Sequence, residues 1–158
     1  MTEFADLARS VIDENRYMVL GTADSSGHPW VSPVWFAMEN YREFLWVSGP
    51  ETQHSRNIAA RPELSIVIFD SSRVPGTAQA VYMTGTAEEL TGAELATGMD
   101  LYGRVSAEQG LSVWTVEDVQ KPALFRLYRA TAAEHFVLIR GGDPEHGSGI
   151  DRREAVTL

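Results

Sequence analysis

The chain has no cysteine among its 158 residues and only one lysine, Lys121. Without cysteine it can form no disulfide, no thiolate metal site and no cysteine nucleophile. Its 22 acidic residues outnumber the 13 basic ones, which gives a formal net charge of -9. Because clustered Lys and Arg recruit nucleic acids and anionic membranes, we expect neither as a partner. An anionic ligand must therefore be held locally, by a few arginines, hydroxyls and backbone N–H groups.

Long apolar runs are also absent, and no stretch approaches the ~20 apolar residues that a membrane-spanning helix needs. The N-terminal segment lacks the basic and apolar regions of a secretory signal. Hydrophobic residues make up 44% of the chain and charged residues 22%, an ordinary globular mixture. We expect a soluble, cytoplasmic protein with one domain over residues 1–140, followed by a flexible, Gly-rich tail over 141–158.

Hydrophobic periodicity predicts a mainly β chain with peripheral helices, that is, an α+β fold. The predicted strands are 17–23, 28–38, 44–48, 64–69, 80–89 and one long or two short strands within 123–139. The predicted helices are 3–14, a short one from about residue 52 to Pro62, and 92–102. Six or seven strands joined by turns favour a small antiparallel barrel, because closure removes exposed strand edges.

Local signals refine these boundaries. Proline cannot donate to a sheet ladder, so Pro33 predicts a break in the pairing of strand 28–38. Thr91 has capping-box spacing to Glu94, and Thr115 begins a second capped turn that includes Asp118.

The segment after the third strand is a candidate anion site, because a helix start presents free N–H groups and a partial positive charge. Four side chains add hydroxyl or amide donors, and two more can add positive charge. The donors are Ser48, Thr52, Gln53 and Ser55, and the candidate cations are His54 and Arg56. The alternative is that Thr52 and Ser55 only cap a surface helix.

An apolar strand precedes this segment and is a candidate for a planar ring. The set consists of Trp30, Val31, Ser32, Pro33, Val34, Trp35 and Phe36, with Trp46 and Phe69 on neighbouring strands. Flat cofactors lie in apolar slots edged by a few polar groups. Core packing is the alternative, because aromatic residues dominate most protein cores.

Other kinds of site have little support. The four histidines, His28, His54, His135 and His146, lie on separate segments without ligand spacing, so we predict no metal site. There is no Gly-x-Ser-x-Gly elbow, no phosphate-binding loop that ends in Gly-Lys and no Gly-x-Gly-x-x-Gly motif. We assign no catalytic acid or base.

The order of the predicted strands and of the short helix along the chain resembles that of the pyridoxamine 5'-phosphate oxidase-like, FMN-binding split-barrel superfamily. The matching segments are 17–23, 27–36, 44–48, 56–62 and 65–69. The resemblance implies a six-stranded antiparallel split β-barrel that forms a homodimer, with the flavin at the subunit interface.

The resemblance also implies roles for individual residues. Val31, Ser32, Pro33, Val34 and Trp35 correspond to the strand beside the flavin ring. The phosphate-binding residues of the family correspond to Ser48, Thr52, Gln53, His54 and Arg56. His54 stands where relatives often have a lysine or arginine, and the C-terminus lacks the substrate-binding pattern of true pyridoxamine phosphate oxidases.

From these features we predict an FMN-dependent oxidoreductase that acts on a small-molecule substrate, with the flavin N5 carrying the hydride. Such chemistry needs few acid or base side chains. One alternative on the same fold is an F420-dependent reductase, and the other is a non-catalytic flavin- or haem-binding protein.

Overall fold

The computed structural model describes residues 2–158, which form eight strands, three α-helices and one short 3-10 helix. The helices are α1 (Thr2–Asp13), α2 (Gln53–Ala60) and α3 (Gly92–Glu108), and the 3-10 helix spans Val116–Val119. The strands are β1 (Tyr17–Ala23), β2 (Pro29–Trp35), β3 (Ala37–Glu39), β4 (Glu43–Ser48), β5 (Glu63–Phe69), β6 (Ala80–Glu89), β7 (Arg126–Ile139) and β8 (Arg152–Val156).

All eight strands belong to one curled antiparallel sheet with the order β2-β1-β5-β6-β7-β4-β3, and β8 pairs with β7. The predicted mainly β, α+β class is confirmed, but the predicted count of six strands is wrong. One extra strand arises because the predicted strand 28–38 divides into β2 and β3, which pair with β1 and β4. The other extra strand is β8.

Pro33 does not break the pairing of β2, contrary to the prediction. The register with β1 runs from Trp35 to Pro29 without interruption, and Pro33 lies opposite Val19. A strand at the edge of a sheet tolerates a residue without an N–H donor. The break comes instead at Phe36, whose N–H bonds to the carbonyl of Arg16 at 3.3 Å.

The interior of the curled sheet holds the larger of two hydrophobic clusters, which includes the fully buried Phe44 and Trp46. On β1 the buried residues Met18, Leu20 and Thr22 alternate with more exposed ones, as a strand with one buried face requires. A second cluster lies under α3, around Leu45 and Leu127.

Of the two capping boxes, the one at Thr115 is confirmed, with the Thr115 N–H donating to the Asp118 carboxylate at 2.8 Å. The one at Thr91 is wrong, since its side chain makes no capping bond. Glu94 instead accepts a hydrogen bond from Arg129 at 3.1 Å. The Glu94 carboxylate is therefore paired with Arg129 and does not complete the predicted capping box with Thr91.

The segment predicted to be a flexible tail contains β8, which pairs with β7 from His135 to Ile139. The division into a domain over 1–140 and a tail over 141–158 stays a prediction. Among residues 2–158 no helix is both long and apolar enough to cross a membrane.

Candidate functional site

The first turn of α2 follows a short loop after β4, and Thr52 occupies its N-cap position in an extended conformation. The Thr52 hydroxyl makes no capping bond to the helix backbone. It lies 2.9 Å from the Gly49 carbonyl, to which it donates, and 2.8 Å from Ser55 Oγ. Backbone N–H groups of a helix start that no side chain caps can bind a ligand.

His54 lies at the centre of this turn with 8% of its surface exposed. Its Nε2 is 2.8 Å from Ser48 Oγ and 3.3 Å from Thr52 Oγ1. Its Nδ1 is 3.2 Å from Ser32 Oγ. One imidazole therefore joins α2 to the end of β4 and to the middle of β2. We call Ser32, Ser48, Thr52, His54 and Ser55 the imidazole–hydroxyl cluster.

Burial lowers the pKa of His54 below its ordinary value, because desolvation disfavours the charged imidazole. The ring is therefore neutral at pH 7, with one nitrogen donating and the other accepting a hydrogen bond. The cluster thus offers hydroxyl and N–H donors without a fixed positive charge.

Gln53 and Arg56 extend along the side of α2. Arg56 is exposed, and its guanidinium donates to Gln53 Oε1 at 3.2 Å. Gln53 in turn donates to the side chain of Asn57 at 2.7 Å. The buried Asn57 donates to Thr22 on β1 at 3.0 Å, which attaches the helix to the sheet. Sequence reasoning missed Thr22 and Asn57; a polar residue on the buried face of a short helix is the signal that identifies Asn57.

On β2 the side chains alternate between two faces, so the residues predicted to lie beside the ring do not all point to the same side of the sheet. Ser32 enters the imidazole–hydroxyl cluster and also lies 3.1 Å from Trp30 Nε1, which donates to it. Val31 is 68% exposed on the other face. Trp35 extends towards the end of α3, where its Nε1 donates to Gln109 at 2.8 Å.

The structure thus brings together five of the eleven predicted site residues, which form the imidazole–hydroxyl cluster. Gln53 and Arg56 are adjacent to it along α2. Val31, Pro33, Val34 and Trp35 lie on the same strand as Ser32. For Trp46 the core alternative is correct, because this side chain is fully buried.

Among the described residues, one group of metal-ligand types comes together, with ligand atoms within 4.8 Å of one another. It consists of Glu3, Glu145 and His146, and His146 lies 3.2 Å from the Glu3 carboxylate. Both glutamates are exposed. The pair between His146 and Glu3 links the segment after β7 to α1.

Comparison with solved structures finds the same fold in several proteins. A haem-binding protein from Mycobacterium smegmatis has a TM-score of 0.69 and 20% identity, covering 96% of this chain and 57% of that protein. HutZ, a haem storage protein from Vibrio cholerae, has a TM-score of 0.67 and 19% identity, covering 90% and 99%. An F420 reductase has a TM-score of 0.58 and 17% identity, covering 80% and 94%. This chain therefore spans a little over half of the mycobacterial protein, and at these identities the likeness shows the fold alone.

No curated protein matches the sequence. The model of the pyridoxamine 5'-phosphate oxidase family does match, over residues 4–138. This range includes β1 to β6, most of β7 and the whole imidazole–hydroxyl cluster. The resemblance inferred from the sequence is confirmed, and the chain belongs to the pyridoxamine 5'-phosphate oxidase family.

Proposed function

We propose that the protein is a flavin-dependent oxidoreductase that binds FMN between two copies of the chain and acts on a small-molecule substrate. One observation carries the proposal, the bridge that His54 makes between Ser32 on β2 and Ser48 at the end of β4. The bridge fixes the strand proposed to lie along the flavin ring against the turn proposed to hold the phosphate.

The donor chemistry of the cluster fits a phosphate ester. Ser48 can donate from its hydroxyl, and the helix start adds backbone N–H groups that Thr52 does not cap. No carboxylate belongs to the imidazole–hydroxyl cluster, and the nearby Glu51 is exposed. Arg56 can approach the phosphate from the exposed side of α2, because its contact with Gln53 is a solvent-exposed one.

A bound flavin would supply hydride transfer, the chemistry that the side chains lack. The protein would bind the phosphate, orient the ring along β2 and exclude water from one side of it. His54 is neutral and engaged at both nitrogens. We therefore assign it a positioning and binding role.

We propose that a second copy of the chain packs against the outer face of the sheet. Val19, Val31, Val67, Tyr82 and Phe136 line a groove of about 310 Å³ on this face. Val31 is 68% exposed, and Tyr17, on the same face of β1, is 62% exposed. Contiguous exposed apolar surface of this kind is typical of a protein interface.

Haem binding is the second candidate. The structural neighbours from M. smegmatis and V. cholerae are described as haem-binding and haem storage proteins. A neutral imidazole can ligate haem iron, and the lowered pKa of His54 favours the neutral form. Ligation would require one of its nitrogens to leave Ser48 or Ser32.

The experiment is to purify the full chain, record its absorption spectrum and measure its mass in solution by sedimentation. The protein is then titrated separately with FMN, F420 and haem, following flavin fluorescence, deazaflavin absorption and the Soret band. The proposal expects a dimer that binds FMN most tightly and is stabilised by it against heat. A monomer, or a protein that binds haem and leaves FMN free, would contradict it.

A further inference from the structure

We propose that this site takes up one proton with each phosphate monoester that it binds, and that His54 holds this proton. The inference rests on the proposed function, because it concerns how the same turn of α2 accommodates the phosphate of FMN. It makes His54 a buried source of positive charge on demand, in addition to the exposed cation Arg56.

The geometry makes His54 the only member of the imidazole–hydroxyl cluster that can change its charge near neutral pH. Its two nitrogens lie 2.8 Å from Ser48 Oγ and 3.2 Å from Ser32 Oγ. In the neutral ring, one of these serines must donate its hydroxyl hydrogen to the unprotonated nitrogen. When the ring gains a proton both nitrogens donate, and that hydroxyl hydrogen is released. Protonation therefore adds a charge and frees a donor in one step.

The charged groups around the turn compensate a phosphate dianion only in part. Glu51 before the helix and Arg56 on it are both exposed and opposite in sign. The strands β2 and β4 contribute hydroxyls to the ring. From β7 the cluster is reached by Tyr128, through Ser55, and the nearby Arg126 lies 3.9 Å from Glu89. None of these groups contributes to the pKa of His54, which burial alone lowers.

A bound phosphate dianion acts against the effect of burial on His54, because an opposite charge nearby favours the imidazolium. The pKa of His54 then rises on binding, and the complex holds one more proton than the free protein. Between the two pKa values the affinity for FMN must fall as the pH rises, by up to about tenfold per pH unit. The second pKa of the FMN phosphate is ~6, so the phosphate is about nine-tenths dianion by pH 7, and a slope above about pH 7 reports mainly on the protein.

The test measures the dissociation constant of FMN by fluorescence from about pH 7 to about pH 8.5, with riboflavin as the ligand that lacks the phosphate. Calorimetry in two buffers of different ionisation enthalpy gives the number of protons taken up. We expect close to one proton for FMN and none for riboflavin, and weakening of FMN binding by up to about tenfold per pH unit. His54→Gln should bind FMN more weakly and without the slope, whereas His54→Lys should bind it tightly without the slope.

Binding of FMN without proton uptake would overturn this inference and leave the proposed function standing. An unchanged slope in His54→Gln would also overturn it, since another group would then hold the proton. Failure of the folded protein to bind FMN at any pH would overturn both. The calorimetry uses the unaltered chain, so it tests the inference even if a variant does not fold.

Discussion

Two polar clusters beside the same sheet balance their charges in opposite ways. On β7, Arg129 is surrounded by Glu88 at 2.6 Å, Glu94 at 3.1 Å and Glu43 at 3.8 Å. The imidazole–hydroxyl cluster instead places His54 among hydroxyls, without a charged partner. The first cluster has its counterions within the chain, so we expect it to stabilise the fold and not to bind an anion. The second has none, and this leaves it able to accept an anion.

Arg129→Met should have the largest effect on stability. Removing one partner of a buried ion pair costs ~3–5 kcal/mol, but the three carboxylates here are 40% to 63% exposed. We therefore expect the free energy of unfolding to fall by about 2 kcal/mol. Denaturant titration measures it, and the exposed Arg104→Met is the matched control.

FMN affinity should be the same in Arg129→Met as in the unaltered protein. A loss of affinity in the folded variant would show that the two clusters are coupled, and the contrast between a structural and a binding cluster would then fail.

Arg56→Ala should have the next largest effect, on binding. A charge-assisted hydrogen bond contributes ~1.5–3 kcal/mol, and the exposure of Arg56 places its contact at the lower end. We expect FMN to bind about tenfold more weakly. Arg61→Ala, an exposed arginine at the other end of α2, is the control. Equal affinities in the two variants would remove Arg56 from the phosphate site.

The dependence of stability on pH should be smaller and confined to a window below the ordinary His54 pKa of 6.5. In the unfolded chain the imidazole takes up a proton near this pH, whereas burial keeps the folded one neutral to a lower pH. The unfolded state then binds more protons, so the free energy of unfolding falls as the pH falls through this window.

His135 adds a contribution of the same sign, because burial also lowers its pKa. His54→Gln should therefore reduce the slope without abolishing it. Urea titrations at several pH values measure the slope. Equal slopes in His54→Gln and the unaltered protein would mean that burial of this ring has no effect on its protonation.

The strands and helices were largely predictable because their signals are local. The strand over 17–23 and the capped turn at Thr115 are both confirmed. β8 was missed because Arg152–Val156 has no strand pattern of its own, and only its pairing with β7 makes it a strand. The bond between Ser32 and His54 joins residues 22 positions apart. Such a contact depends on how β2 and α2 pack, and a linear pattern carries no sign of it.

Glu51→Gln should have the smallest effect and the opposite direction. Glu51 is exposed just before the helix start, where its charge repels an incoming phosphate. Removing one screened surface charge should tighten FMN binding by about twofold at low ionic strength, and by less at physiological salt. Binding titrations at two salt concentrations measure this, with Glu63→Gln at the start of β5 as the control. A twofold gain would show that the charge of Glu51 acts on the bound phosphate. No change at low salt would mean that the phosphate lies too far from the turn to be affected by this charge.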